Sequence, residues 1–274
     1  MHGAGLAQME SLRARIAALE QRPVLAGRAA LLGVSETAGR NDGLPISPPG
    51  LLHEVFTDER RNAGAALGFT LGLARPLFSA ERLAVIYLQL TAETQELGLP
   101  YGAGLKSFGF APETLILGRI ATITELLWAM EEAIACRAVA AVIADIAGHN
   151  KALDFTASRR LSLRAASAGT SVLLLRYGRE REASAAKLRW KLSPLISGET
   201  MYDARAPGKP RWLAQLQKGR LDQHRAEAES FVLDWTEHGF ELVNGDRAAE
   251  RVAPAAALHG AAPVALGNRL SQTA

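Results

Sequence analysis

Apolar positions along this chain follow two rhythms. Over residues 6–21, Met9, Leu12, Ile16 and Leu19 recur at intervals of three and four. That spacing predicts an amphipathic helix with a narrow apolar stripe, suited to a partner helix or groove as well as to its own domain. After a Gly/Pro/Ser/Asn/Asp-rich connection at 35–49, continuous apolar runs of strand length alternate with helical patterns. The runs are LLHEVF, RLAVIYLQL (82–90), TLILGRI (114–120), AVAAVIADI (138–146) and TSVLLLRY (170–177). Between them lie helical patterns: from Asn62 to about Ala74, where Pro76 stops it, over 122–137, and in DFTASRRLSLRAASAG, with Asp154 or Thr156 as N-cap and Gly169 just past its end. Runs apolar on both sides and separated by helices predict an α/β fold whose mostly parallel central sheet is covered on two faces. Past Tyr177 the rhythm changes to strict alternation in KLRWKLSP, RWLAQLQ (211–217) and SFVLDW (230–235). Those segments predict antiparallel strands, each with one wet face, added at the C-terminal side. The chain thus divides into an N-terminal helix and connection (1–34), a core domain (43–250) and a low-complexity tail (251–274) expected to be disordered.

Composition narrows the picture. Apolar residues make up 48% and charged residues 22% of the 274, which suits a globular chain with a real core. There is no apolar run of membrane-spanning length and no secretory h-region, so the cytoplasm is the expected compartment. The lone cysteine, Cys136, falls in a helical pattern and reads as buried packing; one cysteine can form neither an internal disulfide nor a cysteine metal cluster. Charge is uneven: residues 156–191 hold nine Lys/Arg against two Glu (9 − 2 = +7), and residues 81–132 hold three Lys/Arg against seven Glu (3 − 7 = −4). Such a division predicts either distinct basic and acidic faces or ordinary solvated surface.

The junction after LLHEVF is where an α/β nucleotide-binding protein places its phosphate loop. A working loop reads G-x-x-x-x-G-K-[ST]: glycines let backbone N–H groups converge, the lysine neutralises charge, and the hydroxyl holds Mg²⁺. Here the strand runs into Thr57, Asp58, Glu59, Arg60, Arg61, Asn62, Ala63 and Gly64. Asp58 and Glu59 set carboxylates where phosphate oxygens would sit, each repelling by on the order of 1–4 kcal/mol. Gly208-Lys209 precedes Pro210 and opens no helix. The junction therefore keeps the architecture without the chemistry; the alternative is an unorthodox anion site built on Arg60 and Arg61.

The frame GLPISPPGLLHEVF followed by AGAALGFTLGLA resembles the entry to the ATP-binding core of RecA. In that likeness the loop lysine falls on Ala63, the hydroxyl on Gly64, Glu93 near the glutamate that handles water, and Asp145 on the acidic position of the Walker B strand. The chain resembles more closely the ImuA-type damage-inducible mutagenesis proteins of bacteria, through GLLHEVF, YGAGLKSFGF, LWAMEEAIACRAVAAVIADI, LDFTASRRLSLRAASAGTSVLLLR, SAAKLRW and GKPRWLAQLQKGR, over roughly residues 43–243. The resemblance implies a RecA-like fold with a degenerate nucleotide site, no catalytic residues, no cofactor and no metal. It implies service in SOS-induced translesion synthesis as an adaptor, in the cytoplasm and at the nucleoid after DNA damage. The implied partners are an ImuB-type Y-family polymerase homologue, an error-prone C-family polymerase and, as a further candidate, RecA.

Within that frame Glu93 and Asp145 read as relics or as structural hydrogen-bond acceptors. His53 and Glu54 alternate on a strand and form no dyad, and His149 reads as a loop residue. In KLRWKL, alternation puts Lys187, Arg189 and Lys191 on one wet face, a candidate phosphate-tracking strip, with Trp190 buried behind it. Arg159, Arg160 and Arg164 in SRRLSLR fit DNA contact and protein docking equally. The 6–21 stripe is the candidate docking helix and also admits a short coiled homo-oligomer. The alternatives to an adaptor are an atypical ATPase using Arg60, Glu93 and Asp145, a single-stranded-DNA-binding repair protein, and a SulA-like inhibitor of cell division.

Overall fold

The computed structural model describes residues 44, 47–179, 182–198, 206–221 and 230–243, with Glu10 and Ala14. The stripe of Met9, Leu12, Ile16 and Leu19 and the tail from 251 lie outside the described residues. The elements follow in the order β1 (Leu52–Thr57), α1 (Ala63–Ala74), β2 (Ala84–Leu90), α2 (Thr91–Leu97), α3 (Gly102–Ser107), β3 (Leu115–Ile120), α4 (Ile123–Ala135), β4 (Val139–Ala147), α5 (Phe155–Ala168) and β5 (Ser171–Tyr177). Then come β6 (Leu188–Leu195), β7 (Arg211–Lys218), β8 (Ser230–Thr236) and β9 (Gly239–Leu242). They build one sheet ordered β3-β2-β4-β5-β1-β6-β7-β8-β9.

The expected α/β class holds, with one difference in how the two halves join. β6 was expected to be antiparallel, yet it lies parallel to β1, Glu54 opposite Arg189, and antiparallel only to β7. Its sequence alternates because only one of its faces is buried: Leu188, Trp190 and Leu192 are inside. The short elements α2, α3 and β9 carry too few turns or pleats for periodicity to reveal them.

The local signals act as physics requires. Thr122 and Glu125 close a reciprocal capping box on α4, at 3.3 and 3.2 Å. Asp154 accepts the Ala157 N–H at 2.7 Å to start α5, and Gly169 ends it at φ +68. Cys136 is the residue that closes α4 rather than part of its interior, and it is buried as expected.

Helices α4 and α5 cover one sheet face through Leu126, Met130, Leu161 and Ala165. On the other face α1 sets Phe69 on an aromatic floor of Trp190, Trp212, Trp235 and Phe240. The glycines of α1 serve this contact. A Cβ at Gly68 would stand 2.7 Å from Phe108, and one at Gly72 2.3 Å from Phe240. Two of the floor's three indoles are satisfied: Trp212 donates to the Ala65 carbonyl at 2.9 Å and Trp235 to that of Ser107 at 2.7 Å, whereas the buried Trp190 N–H meets no partner among the described residues.

Candidate functional site

β1 ends in mid-sheet between β5 and β6, at the edge where open α/β sheets bind ligands. Thr57 is fully buried at its tip. Beyond it every charged side chain of the loop finds an intramolecular partner. Asp58 pairs with Lys191 of β6 at 3.1 Å, and Glu59 pairs with Arg61. Arg60 spans to the first turns of α2, bonding Glu93 at 2.5 Å and Glu96 as well. Asn62 makes no side-chain cap on α1; Ala63 and Gly64 open that helix, with open space where a Gly64 side chain would stand. The pairs are largely solvated, so each contributes only about 0–1 kcal/mol. What matters is the sum: Arg60, Arg61 and Lys191 against Asp58, Glu59, Glu93 and Glu96 give 3 − 4 = −1, the wrong sign for a polyanion.

Asp145 lies beneath this loop on the α1 face, 2% exposed. Its Oδ2 accepts from the Tyr87 hydroxyl at 2.6 Å and the Gln89 amide at 3.0 Å. Gln89 in turn accepts from Thr94 of α2 at 3.0 Å. The Tyr177 hydroxyl and Asp145 Oδ1 are both buried and neither meets a partner in hydrogen-bonding geometry, though the two groups lie near enough to perturb each other's titration. Burial raises the Asp145 pKa, opposed by hydrogen bonding and by the Arg60 charge. Burial and the Asp145 charge raise both phenols well above their usual range. Glu93 is raised by burial, with Arg60 opposing. The structure thus brings Arg60, Glu93 and Asp145 into one neighbourhood. Chemically it is a carboxyl held between β2, β4 and β5 under an arginine already bonded to two glutamates. Proton acceptors are present; an unpaired cation to hold a substrate anion is not found among the described residues of this cluster.

The opposite face of the same strand ends holds a second buried group. Glu54, 1% exposed, accepts from Arg189 at 2.9 Å and from Ser184 at 2.7 Å. Arg189 also bonds the Glu182 carbonyl at 2.7 Å and lies over the Phe56 ring at 5.4 Å. Arg176 covers the same ring at 5.8 Å and bonds the Gly148 carbonyl at 3.2 Å. His149 pairs with Glu182. Arg189 therefore departs from the expected wet strip: parallel pairing places it in register with Glu54, and its side chain is 13% exposed. Lys191 is tied to Asp58, and Lys187 is exposed. Trp190 is fully buried, as alternation implied.

Of the two readings of the uneven charge, distinct faces or ordinary solvated surface, a full separation does not hold. α4 and α5 pack side by side, so Glu131 of the acidic segment meets Arg160 and, at 3.2 Å, Arg164 of the basic one. Arg159 makes no ion pair among the described residues and is exposed, as are Arg160 and Arg164. Elsewhere, a cleft of about 400 Å³ opens at the N-terminal ends of the strands beside Arg82 and Cys136. Its Arg82 is bound by the Val139 and Ala168 carbonyls and the Thr170 hydroxyl. No group of His, Cys, Asp and Glu among the described residues could hold a metal ion, and no described helix is long and apolar enough to cross a membrane.

No protein-family model matches the chain. Protein ImuA of Caulobacter vibrioides, in strain NA1000 / CB15N and equally in strain ATCC 19089 / CIP 103742 / CB 15, is 33% identical over 192 residues, 65% of this chain and 72% of the relative. The chain belongs to the ImuA family. In this ImuA-family structure several site residues carry no sequence signal. Tyr87, Gln89 and Tyr177 sit inside apolar strands and are tied to Asp145 only by strand order. Glu96 joins Glu93 through α2, a helix too short for the sequence to reveal. Glu54 and Ser184 meet Arg189 only because β1 and β6 are neighbours.

Proposed function

We propose that this ImuA-family chain is a non-catalytic, RecA-like accessory protein of SOS-induced translesion synthesis. It works as an adaptor for an ImuB-type Y-family polymerase homologue and an error-prone C-family polymerase, with RecA as a further partner, in the cytoplasm. The reading draws its cellular role from the family. Its non-catalytic character rests on one observation: the loop at the end of β1 pairs its own charges with Lys191, Glu93, Glu96 and one another, leaving a net negative rim. With Ala63 and Gly64 where a lysine and a hydroxyl belong, those two positions offer Mg–ATP neither the phosphate-binding amine nor the hydroxyl of a working loop, and the cations nearby are already paired with carboxylates. Phe69 of α1 packs on the aromatic floor and ties the helix to the sheet.

The test has two arms. Thermal unfolding with and without Mg–ATP is expected to show no shift at concentrations that shift an active recombinase; a clear shift, lost in Asp145→Ala, would establish the ATPase alternative. Co-purification of the ImuB-type homologue and of RecA, with the full chain and with a chain lacking residues 1–25, is expected to recover the homologue with the full chain. Failure to recover it removes the adaptor reading; recovery by the shortened chain removes the docking role of Met9, Leu12, Ile16 and Leu19 alone.

A further inference from the structure

The outer side of α5 carries large apolar groups in the open. Its buried stripe is Ala157, Ser158, Leu161 and Ala165. Leu163 is two residues from both Leu161 and Ala165, about 200° around the helix from one and as much from the other, so it points away from the sheet. It is 62% exposed, and Phe155 on the first turn is 49% exposed. Arg159 lies midway between them. The three follow an i, i+4, i+8 stripe about 12 Å long. Single exposed apolar residues are ordinary. Here, two of the five large exposed apolar side chains among the described residues share one helix face. That face carries Arg159, Arg160 and Arg164, and α5 contains no Asp or Glu.

We propose that the outer face of α5 is a docking surface for an acidic amphipathic segment of a partner protein. Phe155 and Leu163 meet the segment's apolar side, and Arg159, flanked by Arg160 and Arg164, meets its carboxylates. This names the partner chemistry for the adaptor reading and rests on it. Charge decides against the other occupants. A second copy meeting this face symmetrically would bring arginines against arginines. A nucleic-acid platform uses stacked aromatics along an unbroken cationic track; here the most outward residue is aliphatic, and Glu131 already binds Arg160 and Arg164. The small Ser162, Ala166 and Ser167 beside the stripe leave room for a helix backbone to approach.

The probes are fluorescein-labelled 20-residue peptides tiled along the ImuB-type homologue, with labelled dT20 alongside. Anisotropy is read with wild type, Phe155→Ser/Leu163→Ser and Arg159→Glu, each first shown by circular dichroism to fold. The tightest tile is expected to be net acidic, with apolar residues seven or eight apart. The double variant should weaken it by at least roughly tenfold. Arg159→Glu should weaken it severalfold, by a factor that shrinks at high salt. A tightest tile that is basic, or that binds both variants as well as wild type, overturns the assignment, as does tight dT20 binding or self-association lost in the variants. If the full-length homologue still co-purifies with the double variant at wild-type yield, the adaptor reading stands and the α5 assignment falls. If it fails to co-purify with wild type, both fall.

Discussion

His53 precedes the loop on β1 and couples this strand to pH. It is 3% exposed, and its Nδ1 has no hydrogen-bond partner. Burial lowers its pKa from 6.5 to about 4. The folded chain therefore holds a neutral imidazole while the unfolded chain takes up a proton as pH falls through 6.5. Below 6.5 only the unfolded state gains protons, so acidification costs stability until pH reaches the folded value near 4. At about 1.36 kcal/mol per unit, the difference of 6.5 − 4 units amounts to roughly 3 kcal/mol in full, of which about 2 kcal/mol is lost by pH 5. Against a typical total of about 5–15 kcal/mol that is a large share. His53→Leu removes the titrating group and leaves every other ionisable group in both proteins. Urea unfolding followed by circular dichroism at about pH 7.5 and pH 5 gives two stabilities per protein. Wild type should lose about 2 kcal/mol more than the variant across that interval. Equal losses would mean that His53 exchanges protons with water in the folded state, and the burial argument would fail. The comparison does not depend on whether leucine packs better or worse, because that change is common to both pH values.

Two further outcomes concern the buried acids. Glu54→Ala strands the Arg189 guanidinium and is expected to cost roughly 3–5 kcal/mol in urea unfolding, whereas Glu54→Leu/Arg189→Met should recover most of that loss; a double variant no better than the single would mean that the pair itself, not charge compensation, holds β1 to β6. Asp145→Asn removes a carboxylate whose folded pKa burial has raised. A raised acid costs stability above its folded pKa and ceases to do so as pH falls to the unfolded value, so the melting temperature of the variant should stand higher relative to wild type at pH 7.5 than at pH 4.5; a gap unchanged with pH would show that Asp145 titrates alike in the folded and unfolded chain and that burial does not raise its pKa.

Much of the fold was legible because its signals are local. Continuous apolar runs such as VIYLQL and AAVIADI require two covered faces, and Thr122, Asp154 and Gly169 mark helix ends by chemistry confined to one turn. The direction of β6 was not legible. An alternating strand reports that one face is wet, and that holds for a parallel strand at the point where helix cover stops as much as for an antiparallel one. The chemistry of the site divides in the same way. The absence of a lysine at Ala63 is read directly from residue order. The fates of Arg60, Arg189 and Lys191 are not, because each was decided by a carboxylate 33 to 135 positions away, Glu93, Glu54 and Asp58 respectively. A charge count along the chain, +7 over one segment and −4 over another, left open distinct faces or ordinary solvated surface; adjacency of α4 and α5 turned part of that contrast into ion pairs.

The junction between β1 and α1 is likewise held by contacts within the chain. A phosphate loop has two tasks, to hold an anion and to carry the chain from β1 into α1. Only the first needs a glycine cradle and a lysine. The second needs α1 pinned to the sheet, which here falls to Gly68 and Gly72 lying flat on the rings and to Arg60 reaching α2. Anchored that way, α1 keeps its place on the sheet through contacts that do not pass through the loop's charges, which pair with one another and with Lys191, Glu93 and Glu96. The path from β1 into α1 therefore needs neither a glycine cradle nor a lysine to hold its shape.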